Sequence, residues 1–467
     1  MTLLFHLIYF TSFVDQFVET LYMSNLIFFG FQNSSFFYVI LTALKFVFSA
    51  LIGFIIDHVQ YTYNLLFGSQ LLVLFSYAFY LVFIVQLCSE QFIVDYLYFA
   101  NAFLILGQQL GSIIIITLIS KHYQRDQIPY QISYFQKYGF SGKLFCSVIV
   151  LILYIFFICQ DKLTTETLLL KNKYIIIILS IIPFIILLVI SIFLHQTFVF
   201  FKLEAEELMP EIKLIPVQQK GNLLNAIKNI FKTDSAWIAL SAGIIMGIIK
   251  IWLVYQETQV IQQTQNPFEI FGIYMFFELP TIISLSLVST IVKNFEIETI
   301  SLQALIDKAI DSFVFFLLSI LLSTSITNNQ IGEIIIFGII RIFQQYYLTV
   351  ISISGASIIG MQKENYKNQG LTFGLLGMIE NGFAVWVVLA MWFGSNAKID
   401  ITKNGIGSDP KNGIIYGIIY GFAFGYSLIS IISSKMLQFD KQVNKLGHKV
   451  YSIEQKIDNV ESQEQES

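Results

Sequence analysis

The chain has 467 residues, of which 56% are hydrophobic and only 12% charged, with a net charge of -4. A soluble domain carries about 25% charged residues, so this composition belongs to a protein solvated by lipid. The mild acidity excludes a basic surface for nucleic acid, and Cys88, Cys146 and Cys159 lack the spacing of a zinc site or a disulfide framework.

A membrane-crossing helix needs about 20 mostly apolar residues. Stretches of that kind fall at 3–27, 36–56, 64–88, 95–119, 138–159 and 174–200, then at 236–260, 268–292, 304–323, 331–358, 370–394 and 412–436. The first lacks a basic leader region and a cleavage site, and is expected to stay in the protein as a span. The expected fold is an all-α integral membrane protein of twelve transmembrane helices in two six-helix bundles, 1–200 and 235–436. Between them, 201–234 opens on Glu204, Glu206 and Glu207. It then sets Leu223, Leu224, Ile227, Ile230 and Phe231 at helical spacing opposite Lys228 and Lys232, an amphipathic helix for the inner membrane surface.

Lys and Arg fix the orientation. With the N-terminus inside, the inner loops and tail hold 16 of them and the outer loops six, so both termini are expected in the cytoplasm. A lysosomal, vacuolar or plasma membrane fits this topology. The sequon Asn33-Ser34-Ser35 then lies outside, in a loop short for glycosylation.

Polar groups inside spans carry most of the functional information, because a charge at the bilayer centre costs at least ~2.5 to 3.5 kcal/mol. In span one, Asp15 and Glu19 share a face and repel if both ionise, which suits proton coupling or gating; the alternative pairs Glu19 with Lys45. Gln108 and Gln109 stand mid-span in span four, Lys250 and Glu257 in span seven, Arg341 and Gln345 in span ten. Glu380 and Asn381 in span eleven and Glu278 in span eight are further cavity candidates. Lys250 and Arg341 are candidates to anchor a substrate carboxylate, or to form ion pairs with Asp15, Glu19 or Glu257. Asp307, Lys308 and Asp311 are expected to anchor the start of span nine.

In span twelve, Gly413, Gly417, Gly421 and Gly425 recur every fourth residue, a strip that admits a neighbouring helix, inside the bundle or from a partner. The tail, 437–467, places Phe439, Val443, Leu446, Val450, Ile453, Ile457 and Val460 at heptad spacing. Lys449 and Lys456 then face Glu454 and Glu461, the pattern of a short parallel coiled coil, against which Gly447 counts. A homodimer or another partner bound through 439–460 is one reading, and a lone surface helix the other.

Catalytic motifs are missing. Gly139-Phe140-Ser141-Gly142-Lys143-Leu144 has the wrong glycine spacing for a phosphate loop, and His6, His58, His122, His195 and His448 are scattered. No enzyme activity, cofactor or metal is expected.

Two sets of six spans, a central loop and polar groups on spans one, four, seven and ten resemble the major facilitator superfamily. Gly53-Phe54-Ile55-Ile56-Asp57-His58 is similar to the family's G-x-x-x-D signature after span two. The resemblance implies that Asp57 joins an inner charge and helix-end network that stabilises the outward-open state, with Gly53 permitting close helix contact. The basic residues that usually follow are replaced by Gln60-Tyr61-Thr62-Tyr63-Asn64, so a weakened inner gate is expected. Gly370-Leu371-Thr372-Phe373-Gly374 and Ile379-Glu380-Asn381-Gly382 are similar to elements of the branch containing the lysosomal dipeptide transporter. The function expected is secondary active or facilitative transport of a small anionic or zwitterionic solute by alternating access, with Gln108, Gln109 and Gln345 as hydrogen-bond partners and protons as a candidate coupling ion. The alternative is a non-transporting subunit or scaffold on a degenerate transporter fold, binding partners through span twelve and the tail.

Overall fold

The computed structural model describes residues 2–28, 34–58, 62–85, 90–124, 126–158, 297–324, 349–361 and 368–396, with isolated positions among 185–193, at 244, among 283–291, at 346 and among 421–431. The described elements are helices. We number them α1 (Thr2–Phe28), α2 (Ser34–His58), α3 (Thr62–Val85), α4 (Glu90–His122), α5 (Ile128–Ile158), α6 (Ile297–Thr324), α7 (Thr349–Gly360) and α8 (Gln369–Asn396).

These helices form because long apolar runs in lipid must satisfy every backbone group internally. Polar residues inside the runs do not break them. Thr11, Thr20, Thr117, Ser141 and Ser147 return their hydroxyl hydrogens to carbonyls three or four residues back. Several helices are longer than hydropathy alone predicts. Span five was expected from 138, yet α5 begins at Ile128. Its first ten residues mix Tyr130, Gln131, Ser133, Tyr134, Gln136 and Lys137 into the helical repeat, and a hydropathy window does not register a helix that continues past the apolar layer. With 33 residues, α4 is about 50 Å long against an apolar layer of about 30 Å.

Apolar residues fill the interior, where Ile8, Val18, Leu66, Val73 and Ile114 are fully buried, and they cover the outer faces as well. Outward stripes are apolar: Val47, Leu51 and Ile55 on α2, Leu71, Phe75 and Phe79 on α3, and Ile310, Phe313, Val314 and Leu317 on α6 are exposed. Inside lie Ser49, Ser69, Gln70, Ser76, Asn101, Thr117 and Ser133, all buried. Apolar stripes at a spacing of four suit lipid, and small polar residues let helices approach one another.

Three pairings organise the described helices: α1 with α5, α3 with α4, and α2 with α8. Each has glycine at its tightest point. A Cβ on Gly142 of α5 would run into the Phe13 carbonyl of α1, and one on Gly139 would stand 2.8 Å from Ser12 Oγ. The segment expected not to be a phosphate loop is therefore a packing surface. Above it, Tyr9 donates to Gln131 Oε1 at 2.8 Å, among the rings of Tyr134, Phe135 and Tyr138. On α4, a Cβ at Gly107 would come within 2.8 Å of the Ser69 carbonyl of α3.

The central segment 201–234, the tail 437–467 and Asn33 lie outside the described residues. Of the span-twelve glycines, Gly413 and Gly417 lie outside as well. A Cβ at Gly421 would touch the Phe316 ring of α6 at 3.3 Å, and Phe424 packs on Phe313, whereas Gly425 faces open space. Asp307, near the start of α6, accepts from Gln303 Nε2 at 2.9 Å.

Candidate functional site

The contact between α2 and α8 joins residues more than three hundred positions apart. Gly53 of α2 meets Gly370 and Gly374 of α8 backbone to backbone: a Cβ on Gly53 would collide with the Gly370 carbonyl, and one on Gly374 would stand 2.5 Å from the Ser49 carbonyl. One turn beyond Gly53, Asp57 meets the first residues of α8. Gly370 N–H donates to Asp57 Oδ1 at 2.9 Å, and Leu371 N–H donates to Oδ2 at 2.7 Å. The first N–H groups of a helix have no partner of their own and carry the positive end of its dipole, so a carboxylate there satisfies both. Asp57 is thus the N-cap of a helix from the other end of the chain.

The loop after Asp57 carries Gln60-Tyr61-Thr62-Tyr63-Asn64 and no basic residue. The charges that act on Asp57 are those of Lys121, at the end of α4, and of its neighbour His58. Asp57 thus meets two backbone donors of α8 and lies within electrostatic reach of a cation at the end of α4.

The same end of the bundle holds two further links. Gln136 Nε2 of α5 donates to Ser352 Oγ of α7 at 3.0 Å. Gly360, the last residue of α7, lies so close to α4 that a Cβ on it would be 2.6 Å from Ser120 Oγ and 3.1 Å from the Ile128 side chain. Gln369 Nε2 donates to the Gly360 carbonyl at 3.3 Å, joining α7 to the start of α8.

Two turns from Asp57 along α2, about 12 Å deeper, three helices share a polar node. Gln109 Nε2 of α4 donates to Ser49 Oγ of α2 at 2.9 Å, and a Cβ at Gly377 of α8 would be 3.1 Å from that nitrogen. Gln108 points elsewhere, donating to the Asp15 carbonyl of α1 at 2.8 Å. Both glutamines expected to hold solute therefore also tie helices together.

Asp15 stands at the midpoint of α1, 7% exposed, and its Oδ1 makes no hydrogen bond. Glu19, one turn on, accepts from Gln16 Nε2 at 2.9 Å and acts electrostatically on Asp15. Asn381 donates to the Gly377 carbonyl of its own helix at 2.6 Å, and Glu380 beside it is half-buried. Lys250, Glu257, Glu278, Arg341 and Gln345 lie outside the described residues. Among the described candidates, the structure joins Gly53 and Asp57 to α8, Gln109 to Ser49, and Gln108 to Asp15.

No protein-family model and no curated protein matches the sequence. Solved structures do match. Over 93% of this chain and 98% of theirs, a bacterial homologue of the iron transporter ferroportin, captured in an outward-facing state with soaked iron, superposes with a TM-score of 0.60 at 13% identity. The proton:xylose symporter XylE bound to 6-bromo-6-deoxy-D-glucose gives 0.59 at 15% identity, covering 92% of this chain and 95% of that one. The E. coli fucose:proton symporter gives 0.54 at 14% identity, over 91% and 98%. The chain has the fold of the major facilitator transporters. That fold is a multi-pass helical membrane architecture, in keeping with the apolar stripes of α2, α3 and α6.

Proposed function

We propose that the chain is a transporter that moves a small polar solute across its membrane by alternating access, on twelve spans in two six-helix bundles. The observation that carries this reading is the Asp57 cap on α8. It joins the two bundles at one end through two hydrogen bonds and a glycine-lined backbone contact, flanked by a small apolar cluster of Phe54, Leu371 and Leu375. Such a contact can part and re-form as the bundles rock about a central site.

The clasped end is the cytoplasmic one on the Lys and Arg balance, and an outward-facing neighbour among the similar structures supports the same assignment. In this reading Lys250 and Arg341 anchor an anionic or zwitterionic solute, with Gln345 beside them. Asp15, Glu19 and Glu257 serve proton coupling or gating, which the burial of Asp15 at mid-membrane supports. The α8 elements around Gly370, Gly374 and Asn381 favour the branch that contains the lysosomal dipeptide transporter. A solute shifts the two states only by binding one better than the other.

The test begins with an unbiased thermal-shift screen, because a ligand that prefers the folded protein raises its apparent stability. Hits are then followed as flux into liposomes. Flux that vanishes in Lys250→Ala and in Arg341→Ala supports the proposal. Absence of flux for every hit, together with stable capture of a partner through 437–467, favours the scaffold reading instead.

A further inference from the structure

A second polar cluster lies wholly within the first bundle, away from the α2–α8 clasp. Asp15 of α1, Ser69 and Gln70 of α3 are 7%, 0% and 0% exposed. Asp15 Oδ1 and both polar atoms of the Gln70 side chain make no hydrogen bond. The Gln70 amide is near enough to act on the Asp15 carboxylate as a hydrogen-bond donor, although no bond of ordinary geometry reaches Asp15 Oδ1. On the third side stands Gly111 of α4. A Cβ there would lie 3.2 Å from Ser69 Oγ and 3.9 Å from Asp15 Oδ2, so oxygens of α1 and α3 converge where α4 has no side chain. Ser69 gives its own hydrogen to the Leu66 carbonyl at 2.6 Å, which leaves oxygen lone pairs for the gap. Gln108 pins the Asp15 carbonyl to α4 at the same level, so the three helices are held in register.

We propose that Asp15, Ser69 and Gln70 bind a monovalent alkali cation of sodium size, seated in front of Gly111. The donor set is all oxygen with a single carboxylate and no His or Cys, which suits a hard cation rather than a transition metal. Among the described residues, the groups acting on Asp15 are Gln70 and Glu19, neither of them a cation, and Glu19 is already bonded to Gln16. One positive charge matches the single carboxylate of the donor set. A proton settles one carboxyl oxygen and at most one atom of Gln70. A cation engages Asp15 Oδ1, Gln70 Oε1 and Ser69 Oγ together, leaving Gln70 Nε2 to turn toward the other carboxylate oxygen.

The test uses the full chain in detergent without solute, at a fixed pH of about 8 where a free carboxyl is ionised, with choline replacing the alkali cation at constant ionic strength. Sodium is expected to raise the unfolding temperature in a saturable way, with radioactive sodium binding at one ion per chain. Asp15→Asn loses the response. Gln70→Leu and Gly111→Ala weaken the apparent affinity by at least roughly tenfold, as disturbed metal surroundings do. If Asp15→Asn does not fold, Gly111→Ala and Ser69→Ala carry the comparison. The proposal is overturned if sodium, lithium and potassium all act as choline does, which leaves the gap to water or a proton, or if Asp15→Asn keeps the full sodium response. Because binding is read without solute, its failure leaves the flux experiments standing, and failure of flux leaves the cation site standing.

Discussion

The Cβ of Ser120, near the end of α4, lies 3.5 Å from the point where a Cβ would sit on Gly360 at the end of α7. That separation is at the near edge of the range of about 3.5 to 4.5 Å spanned by disulfides. The double variant Ser120→Cys/Gly360→Cys, in a background where Cys88, Cys146 and Cys159 are replaced by Ala, is expected to crosslink under mild oxidation. Thiol labelling reads the bond, and a reductant reverses it. With the bond closed, the two bundles stay clasped and solute flux stops; free thiols under oxidising conditions would show that α4 and α7 do not meet here.

Gly53→Ala tests the backbone contact. The new methyl runs into the main chain of Gly370, which cannot swing away as a flexible side chain can. Overpacking of this kind costs about 1 to 3 kcal/mol, so a lower unfolding temperature is expected in detergent. Gly68→Ala is the control, because a Cβ there meets nothing within 4 Å. It is expected to be neutral or to stabilise by up to ~1 kcal/mol through helix propensity. Equal behaviour of the two variants would remove the steric account.

Loss of the Asp57 carboxylate in Asp57→Ala deprives α8 of its cap. Capping groups contribute about 1 kcal/mol, which shifts the balance between clasped and open states by roughly fivefold. A single cysteine introduced at Thr372, a position that is 2% exposed, reports it. Its alkylation is expected to speed up in the Asp57→Ala background and to return most of the way toward the original rate in Asp57→Asn, since Asn also caps. An unchanged rate would mean that the cap does not hold the seam.

Ser49 and Gln109 form a double-mutant cycle. Removing Ser49 takes the acceptor from the Gln109 amide, at a cost of about 1 to 3 kcal/mol, whereas removing Gln109 leaves the Ser49 hydroxyl its bond to the Lys45 carbonyl and costs less. Ser49→Ala and Gln109→Leu are therefore each expected to destabilise, and the pair together by clearly less than the sum. Additive losses measured by thermal unfolding would show that the two do not interact.

Much of this was legible before any coordinates. Missing charge and long apolar runs identify the solvent as lipid, and the Gly53-to-Asp57 and Gly370-to-Gly374 motifs are visible as spacing. That these two motifs face each other is not, because no spacing rule links positions 57 and 370. Ser49 and Ser352 escaped notice for a physical reason: a small polar residue in an apolar run looks the same whether it points to a neighbour or to its own carbonyl. Ser120 and Gln136 were hidden differently, between the runs 95–119 and 138–159, where hydropathy registers no helix. Gln70 did offer a signal, an amide in the middle of the apolar run 64–88, and only its burial beside Asp15 gives it meaning. The early start of α5 was hidden because hydropathy measures the depth of the bilayer, not the length of a helix.

The seam between α2 and α8 is main chain against main chain, with Gly53, Gly370 and Gly374 at its centre. At that glycine centre closing freezes no side-chain rotamers, and the side chains that do pack, Phe54 against Leu371 and Leu375, lie beside it; a seam built wholly of long side chains would lose up to about 2 kcal/mol of rotamer entropy for each one immobilised. Parting the glycine centre leaves no side chains to disentangle there. Such a joint can be tight when shut and still quick to open, so its mechanical speed is set by the smallest residue in the chain.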